Sequence, residues 1–153
     1  MNEETETIRK MLYQSWTAQE EIEENCMTLQ RLKDSAEKIT TTLSPAPAHA
    51  GVSDKVGGCA CKMADIECQI KASIENLTAI ISRNTQIITG VKDDTLRLLL
   101  RKRYLNHKEW DCIAYEMKYR TRGIHTVHER ALKAAKLSYE RMKRLENQTL
   151  KCT

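Results

Sequence analysis

The sequence predicts an all-α protein: a long antiparallel helical hairpin over residues 1–92, then a helix-turn-helix domain with an extended C-terminal helix over residues 93–153. Three observations carry that prediction. Apolar residues recur every three or four positions along most of the chain, the period of one helix face. Only five Gly and two Pro punctuate the chain, too few for a many-stranded sheet, which needs a turn about every ten residues. With no Phe and 30% charged residues, the composition lacks the bulky stock of a thick core and suits amphipathic helices.

The first helix is expected from about Thr5 to Leu43. Ile8, Leu12 and Trp16 start its stripe; Ile22, Leu29, Ala36 and Leu43 then fall seven apart, with Leu32 and Ile39 between them, Cys26 beside the seam and Asn25 in it. No Gly or Pro interrupts this run, so one helix roughly 55–60 Å long is the economical reading. A single narrow apolar stripe is not stable alone and needs a partner helix. Pro45 and Pro47 end the helix, and the small and polar residues from Ser44 to Gly58 predict a mobile loop in which the chain reverses. The partner follows, with Met63, Ile66, Ile70, Ile74, Leu77, Ile81, Asn84, Ile88 and Val91 at helical spacing. The two stripes are expected to face each other in an antiparallel hairpin, with Gly90 as C-cap.

Asp93 or Asp94 starts the next helix, over about Thr95 to Leu105, with Leu96, Leu99, Leu100 and Tyr104 inside and Arg97, Arg101, Lys102 and Arg103 mostly outside. Asn106 and His107 turn the chain into a helix from Lys108 to Lys118, and Tyr119 to Arg122 form a second turn. The helix beginning there continues past Glu129, since Leu132, Ala135, Tyr139, Met142 and Leu145 prolong its stripe without a breaker. That extension can pack on the hairpin or pair with a second copy.

Trp110 to Glu129 reads as a helix-turn-helix. Its inward set is Ile113, Ala114, Met117, Tyr119, Ile124 and Val127, with Ala114 small enough to let the helices approach closely. Its outward set is Arg120, Thr121, Arg122, His125, Thr126 and Glu129, donors and acceptors that reach phosphates and base edges. Lys108 and Arg130, with Arg101 and Arg103, add candidate phosphate contacts, and the positive end of the second helix favours phosphate oxygens. Cys112, beside Ile113, is expected to be a small buried group, and Trp16 and Trp110 to be core or seam residues.

The formal net charge of +4 conceals an asymmetry: residues 1–96 hold ten Lys and Arg against fifteen Asp and Glu, residues 97–153 fifteen against six. A basic half beside an acidic half orients a protein on nucleic acid. Membrane binding would need a broad apolar face or an apolar span of about 18 residues, and neither occurs. MNEETETIRK has no apolar signal core, so a cytoplasmic location with reduced thiols is expected. Cys59, Cys61 and Cys68, with His49 upstream, lack the paired CxxC spacing of structural zinc sites, so no metal is expected. No Gly-rich phosphate loop and no HExxH motif occurs, and His107, His125 and His128 sit among Lys and Arg. A non-enzymatic protein without cofactor is expected.

The stretch LLLRKRYLNHKEWDCIAYEMKYRTRGIHTVHERAL, from Leu98 to Leu132, resembles region 4 of bacterial sigma factors. Arg103-Tyr104, Ile113-Ala114, Thr121-Arg122-Gly123 and Arg130-Ala131-Leu132 stand in that region's pattern. The whole chain is similar to small sigma-like proteins of Gram-positive phages and prophages, which include a domain family of unknown function and ArpU- and RinA-type late transcriptional regulators. The resemblance implies sequence-specific binding of double-stranded DNA and regulation of phage or prophage transcription. The recognition helix would run over about residues 121–136. Lys118 departs from the pattern, since that turn usually has Gly. Nothing resembles the promoter-melting region of a sigma factor, so recruitment or positioning of a transcription complex is implied rather than strand opening. One such motif has limited affinity, so a homodimer or an RNA polymerase partner is expected. Two alternatives stand beside this reading: a DNA-packaging protein like a terminase small subunit, and a helical interaction protein whose basic face meets an acidic partner.

Overall fold

The computed structural model describes residues 3–41 and 51–151. Among them the chain is all-α: α1 (Glu3–Thr41), α2 (Gly51–Thr89), α3 (Asp94–Leu100) running into a π-helical turn (Arg101–Leu105), α4 (Trp110–Glu116) and α5 (Thr121–Lys151). Of the loop expected over 44–58, Pro45, Pro47 and His49 lie outside the described residues, and residues 51–58 are helical. Gly57 and Gly58 each lower helix propensity by about 1 kcal/mol relative to Ala, but unlike Pro they remove no hydrogen bond and do not end a helix.

The chain forms two compact units: Ala18–Leu77 is one, and Met1–Thr17 with Thr78–Thr153 is the other. In the first, α1 and α2 run antiparallel, and Cys59 Sγ on α2 lies 3.8 Å from the Leu32 carbonyl on α1. Ile22, Asn25, Leu29, Leu32, Ala36 and Ile39 are half-buried on α1, as are Met63, Ile66, Ile70, Ser73 and Leu77 on α2. This strict alternation of three and four is the 3.5-residue repeat of a two-helix seam. It admits Ser73 and leaves Ile74, expected in the seam, 48% exposed.

The second unit holds the continuous core. Ile8 and Leu12 of α1, Ile87 and Ile88 of α2, Leu99 and Leu100 of α3, Tyr104, Ile113 of α4, and Ile124, Ala131 and Leu132 of α5 are all buried together. Two polar side chains fix how the segments meet: Asn84 Nδ2 donates to the Leu12 carbonyl at 3.0 Å, and Ser138 Oγ to the Ile87 carbonyl at 2.7 Å. The extension of α5 therefore packs within its own chain as far as Tyr139 and Met142, while Leu145 is exposed.

Asp93 caps α3, its carboxylate accepting from the amides of Thr95 and Leu96 at 2.9 and 3.1 Å. Gly90 directly follows α2, as expected of its C-cap, but its backbone is not left-handed, since no described glycine has positive φ. Its value is space: a Cβ there would fall on Ser138 Oγ and lie 3.2 Å from Ser138 Cβ. Gly90→Ala should destabilise the protein by about 1–3 kcal/mol, the usual range for overpacking. Adding Ser138→Gly should recover part of the loss in a urea titration; equal stability of wild type and Gly90→Ala would refute the close approach.

Candidate nucleic-acid interface

Helix α4 is shorter than the expected Lys108–Lys118, because the backbone turns at both ends. At its start, the wide π-helical turn sends the Asn106 amide to the Arg101 carbonyl and the Lys108 amide to the Lys102 carbonyl, both at 3.0 Å, with His107 at φ 50°. At its end, the Lys118 amide donates to the Tyr115 carbonyl (3.2 Å) and the Tyr119 amide to the Ala114 carbonyl (2.9 Å). Those two bonds form a Schellman motif, whose C′ residue is left-handed; Lys118 occupies it at φ 58°. The turn is thus Met117–Arg120, and α5 starts at Thr121 with the Arg120 carbonyl accepting from the Ile124 amide at 3.0 Å. Lys118→Gly should raise the unfolding free energy by about 0.5–1 kcal/mol, the left-handed penalty less the entropy glycine adds to the unfolded chain. A melting temperature higher by about 2–4 °C is the expected readout; an unchanged or lower one counts against it.

Ile113, Ala114, Ile124 and Val127 are buried where α4 and α5 meet, with Met117 partly buried against them. Tyr119, expected inside, is 39% exposed, because the Schellman turn carries it past the end of α4. Cys112, also expected inside, is exposed, since the inward face of α4 is taken by its neighbours Ile113 and Ala114.

Of the sequence-derived candidates, Arg120, Thr121, Arg122, His125, Thr126, Glu129 and Arg130 are all exposed, in the turn and the first three turns of α5. The structure brings these seven together on the side of α5 opposite Ile124, Val127 and Ala131. Lys108 does not join them as a free cation: its ammonium and that of Lys102 both pair with Glu116. The two lysines hold the Glu116 carboxyl below the usual carboxylate range. Arg101 is exposed, but Arg103 is not a phosphate contact, because it is buried.

Arg103 instead ties α1, α3 and α4 together behind the exposed face. Its guanidinium carbon lies 4.4 Å from the Trp16 ring centroid and 4.8 Å from that of Trp110. Its Nη1 donates to the Lys108 carbonyl at 2.8 Å, and Glu109 Oε2 is 3.4 Å away. The Arg103 and Tyr104 carbonyls, at the end of a helix where intrahelical donors run out, accept from Trp16 Nε1 (2.9 Å) and Ser15 Oγ (2.8 Å) on α1. Trp110 in turn packs against His125 at 4.9 Å and His128 at 4.6 Å between ring centroids, which connects this cluster to the candidate face of α5.

His128, set among the basic residues in the sequence, is buried and shares a 2.8 Å hydrogen bond with the Tyr104 hydroxyl. Burial, reinforced by His125 and Arg103, pushes its pKa down to about 4 and keeps the ring neutral. Burial likewise raises the Tyr104 phenol above its ordinary value. Sequence reasoning also passed over Lys118 and Lys133, both exposed beside the candidate residues.

The charge asymmetry follows the compact units. The unit holding α3, α4 and α5 carries nineteen Lys and Arg against eleven Asp and Glu, while Ala18–Leu77 carries six against ten. Among the described residues, no group of three or more His, Cys, Asp or Glu is placed to hold a metal, and no helix is long and apolar enough to cross a membrane. No family model, curated protein or solved structure matches the chain.

Proposed function

We propose that the protein is a sequence-specific regulator of transcription that binds double-stranded DNA. Helix α4, the turn at Lys118 and the start of α5 act as a helix-turn-helix, with α5 entering the major groove from Thr121 onward. The observation that carries this reading is the sorting of side chains at the start of α5. Arg120, Arg122, His125, Thr126 and Glu129 are exposed, while Ile124 and Val127 are buried and hold the helix on α4. Arginine fits guanine, and the backbone amides and dipole of the first turn fit phosphate. The resemblance of residues 98–132 to sigma region 4 suggests the transcriptional setting. With no promoter-melting region resembled, the protein would position a transcription complex rather than open DNA.

Selection from a random duplex pool should yield a preferred site. Arg122→Ala with His125→Ala should then weaken binding to that site about tenfold or more beyond its effect on random duplex, the scale of one lost base contact. Equal loss on both duplexes would sink base reading. Absence of any salt-dependent duplex binding by the wild-type protein would sink the function.

A further inference from the structure

We infer that the DNA contact extends along the whole exposed length of α5, so that Arg141 and Arg144, far from the base-reading turns, bind phosphates of the same duplex; this rests on the proposed function. Arg122, Arg130, Lys133, Arg141 and Arg144 fall at spacings of eight, three, eight and three, which keep them in one row within a stripe about 100° wide on a helix. The intervening steps of the row are Thr126 and Leu137, and all seven positions are exposed. The row contains no carboxylate. Among the described residues, Arg122, Arg130, Lys133 and Arg144 form no ion pair.

An ordinary solvated helix face relieves its charges in pairs three or four residues apart. This chain does so elsewhere: Arg9 pairs with Glu6, and on α5 itself Lys136 lies 3.7 Å from Glu140, beside the row. Within the row the opposite choice is made, since Arg130 with Lys133 and Arg141 with Arg144 set like charges three apart. That placement opposes helix stability and is relieved by an external polyanion.

The distal end is also shaped. A groove of about 450 Å³ is lined by Lys92, Leu137, Arg141 and Arg144 together with Asp93 and Glu140. Both carboxylates have other partners, Asp93 the amides of α3 and Glu140 the Lys136 ammonium. Arg141 is held in place by donating to the Gly90 carbonyl at 3.0 Å. From Arg122 to Arg144 the row spans about 33 Å at 1.5 Å per residue, close to the roughly 34 Å of one duplex turn. Double-stranded DNA is a polyanion that presents phosphates of both strands within that length.

The test measures binding of the full chain to a 25-base-pair random duplex between 50 and 200 mM salt. Arg141→Gln with Arg144→Gln should make the log–log slope shallower by about 1.8, two phosphates' worth, and Arg141→Lys with Arg144→Lys should restore it. An unchanged slope for the Gln pair, while Arg120→Gln with Arg122→Gln flattens it, overturns this inference and leaves the proposed function standing. No salt-dependent binding by wild type overturns both. If the Gln pair leaves duplex binding intact but abolishes binding of an acidic peptide, the groove is a protein site and the inference is wrong. Circular dichroism confirms that each variant keeps its helix content.

Discussion

Arg103→Ala should lower the unfolding free energy by about 3 kcal/mol. The side chain is held by three interactions at once. A charged hydrogen bond to the Lys108 carbonyl contributes about 1.5–3 kcal/mol, and each indole beside the guanidinium about 0.5–2. These terms are not additive, and the alkyl stem adds packing that alanine removes. Arg103→Lys should recover only a minority of the loss, because an ammonium cannot lie flat between two rings while also donating to Lys108. Urea titration followed by circular dichroism measures both variants. A loss below about 1 kcal/mol for the alanine variant would show that Trp16 and Trp110 hold the segments together without it. Under the proposed function, Arg103→Ala should also weaken duplex binding where the protein stays folded, since Trp110 touches His125.

Acid should destabilise the protein through His128. Its folded pKa is depressed to about 4 from an ordinary 6.5, so between those values the unfolded chain binds a proton that the folded chain refuses. The stability contribution is complete above pH 6.5 and is lost as pH falls toward 4. The slope is at most about 1.4 kcal/mol per pH unit and the total about 3 kcal/mol. His128→Phe keeps a ring beside Trp110 and cannot take up a proton. It should lose stability at pH 7, where the Tyr104 hydroxyl is left without its partner, and should show a flatter profile from pH 6.5 to 4. A variant profile as steep as the wild type would place the titration elsewhere. Glu6 and Glu116, whose carboxyls are held below their ordinary range by Arg9 and by Lys102 and Lys108, lose their contributions mainly below about pH 4.5, so the upper part of the window, from pH 6.5 to about 5, reports His128.

Legibility in the sequence depended on whether the signal was periodic and local. The three long helices followed from their stripes, Asp93 from its place before an apolar run, and the left-handed Lys118 from its place in the turn. His128 could have been read correctly: four residues after Ile124 and three before Ala131, it falls in the inner stripe of α5. It was instead noted only for its Lys and Arg neighbours in the chain. Arg103 was harder, because burying a guanidinium requires partners, and Trp16 lies 87 residues away. No short-range pattern encodes that meeting. Gly90 was read as a cap because it follows a helix, whereas the atom that requires it, Ser138 Oγ, belongs to a segment 48 residues on. The exposure of Arg120, Arg122, His125 and Thr126 was legible, since it is the complement of the buried stripe.

The hydrogen bonds from Ser15 and Trp16 to the carbonyls of Tyr104 and Arg103 also set a timetable for synthesis. These partners are separated by 89 and 87 residues. At about 5–20 residues added per second, the start of α1 waits roughly 5–20 s for the groups it will hold. Until Ile87, Ile88 and the helices after them are made, Ile8 and Leu12 lack the core they will enter. The nascent chain therefore carries an uncovered apolar strip until its second half has been made.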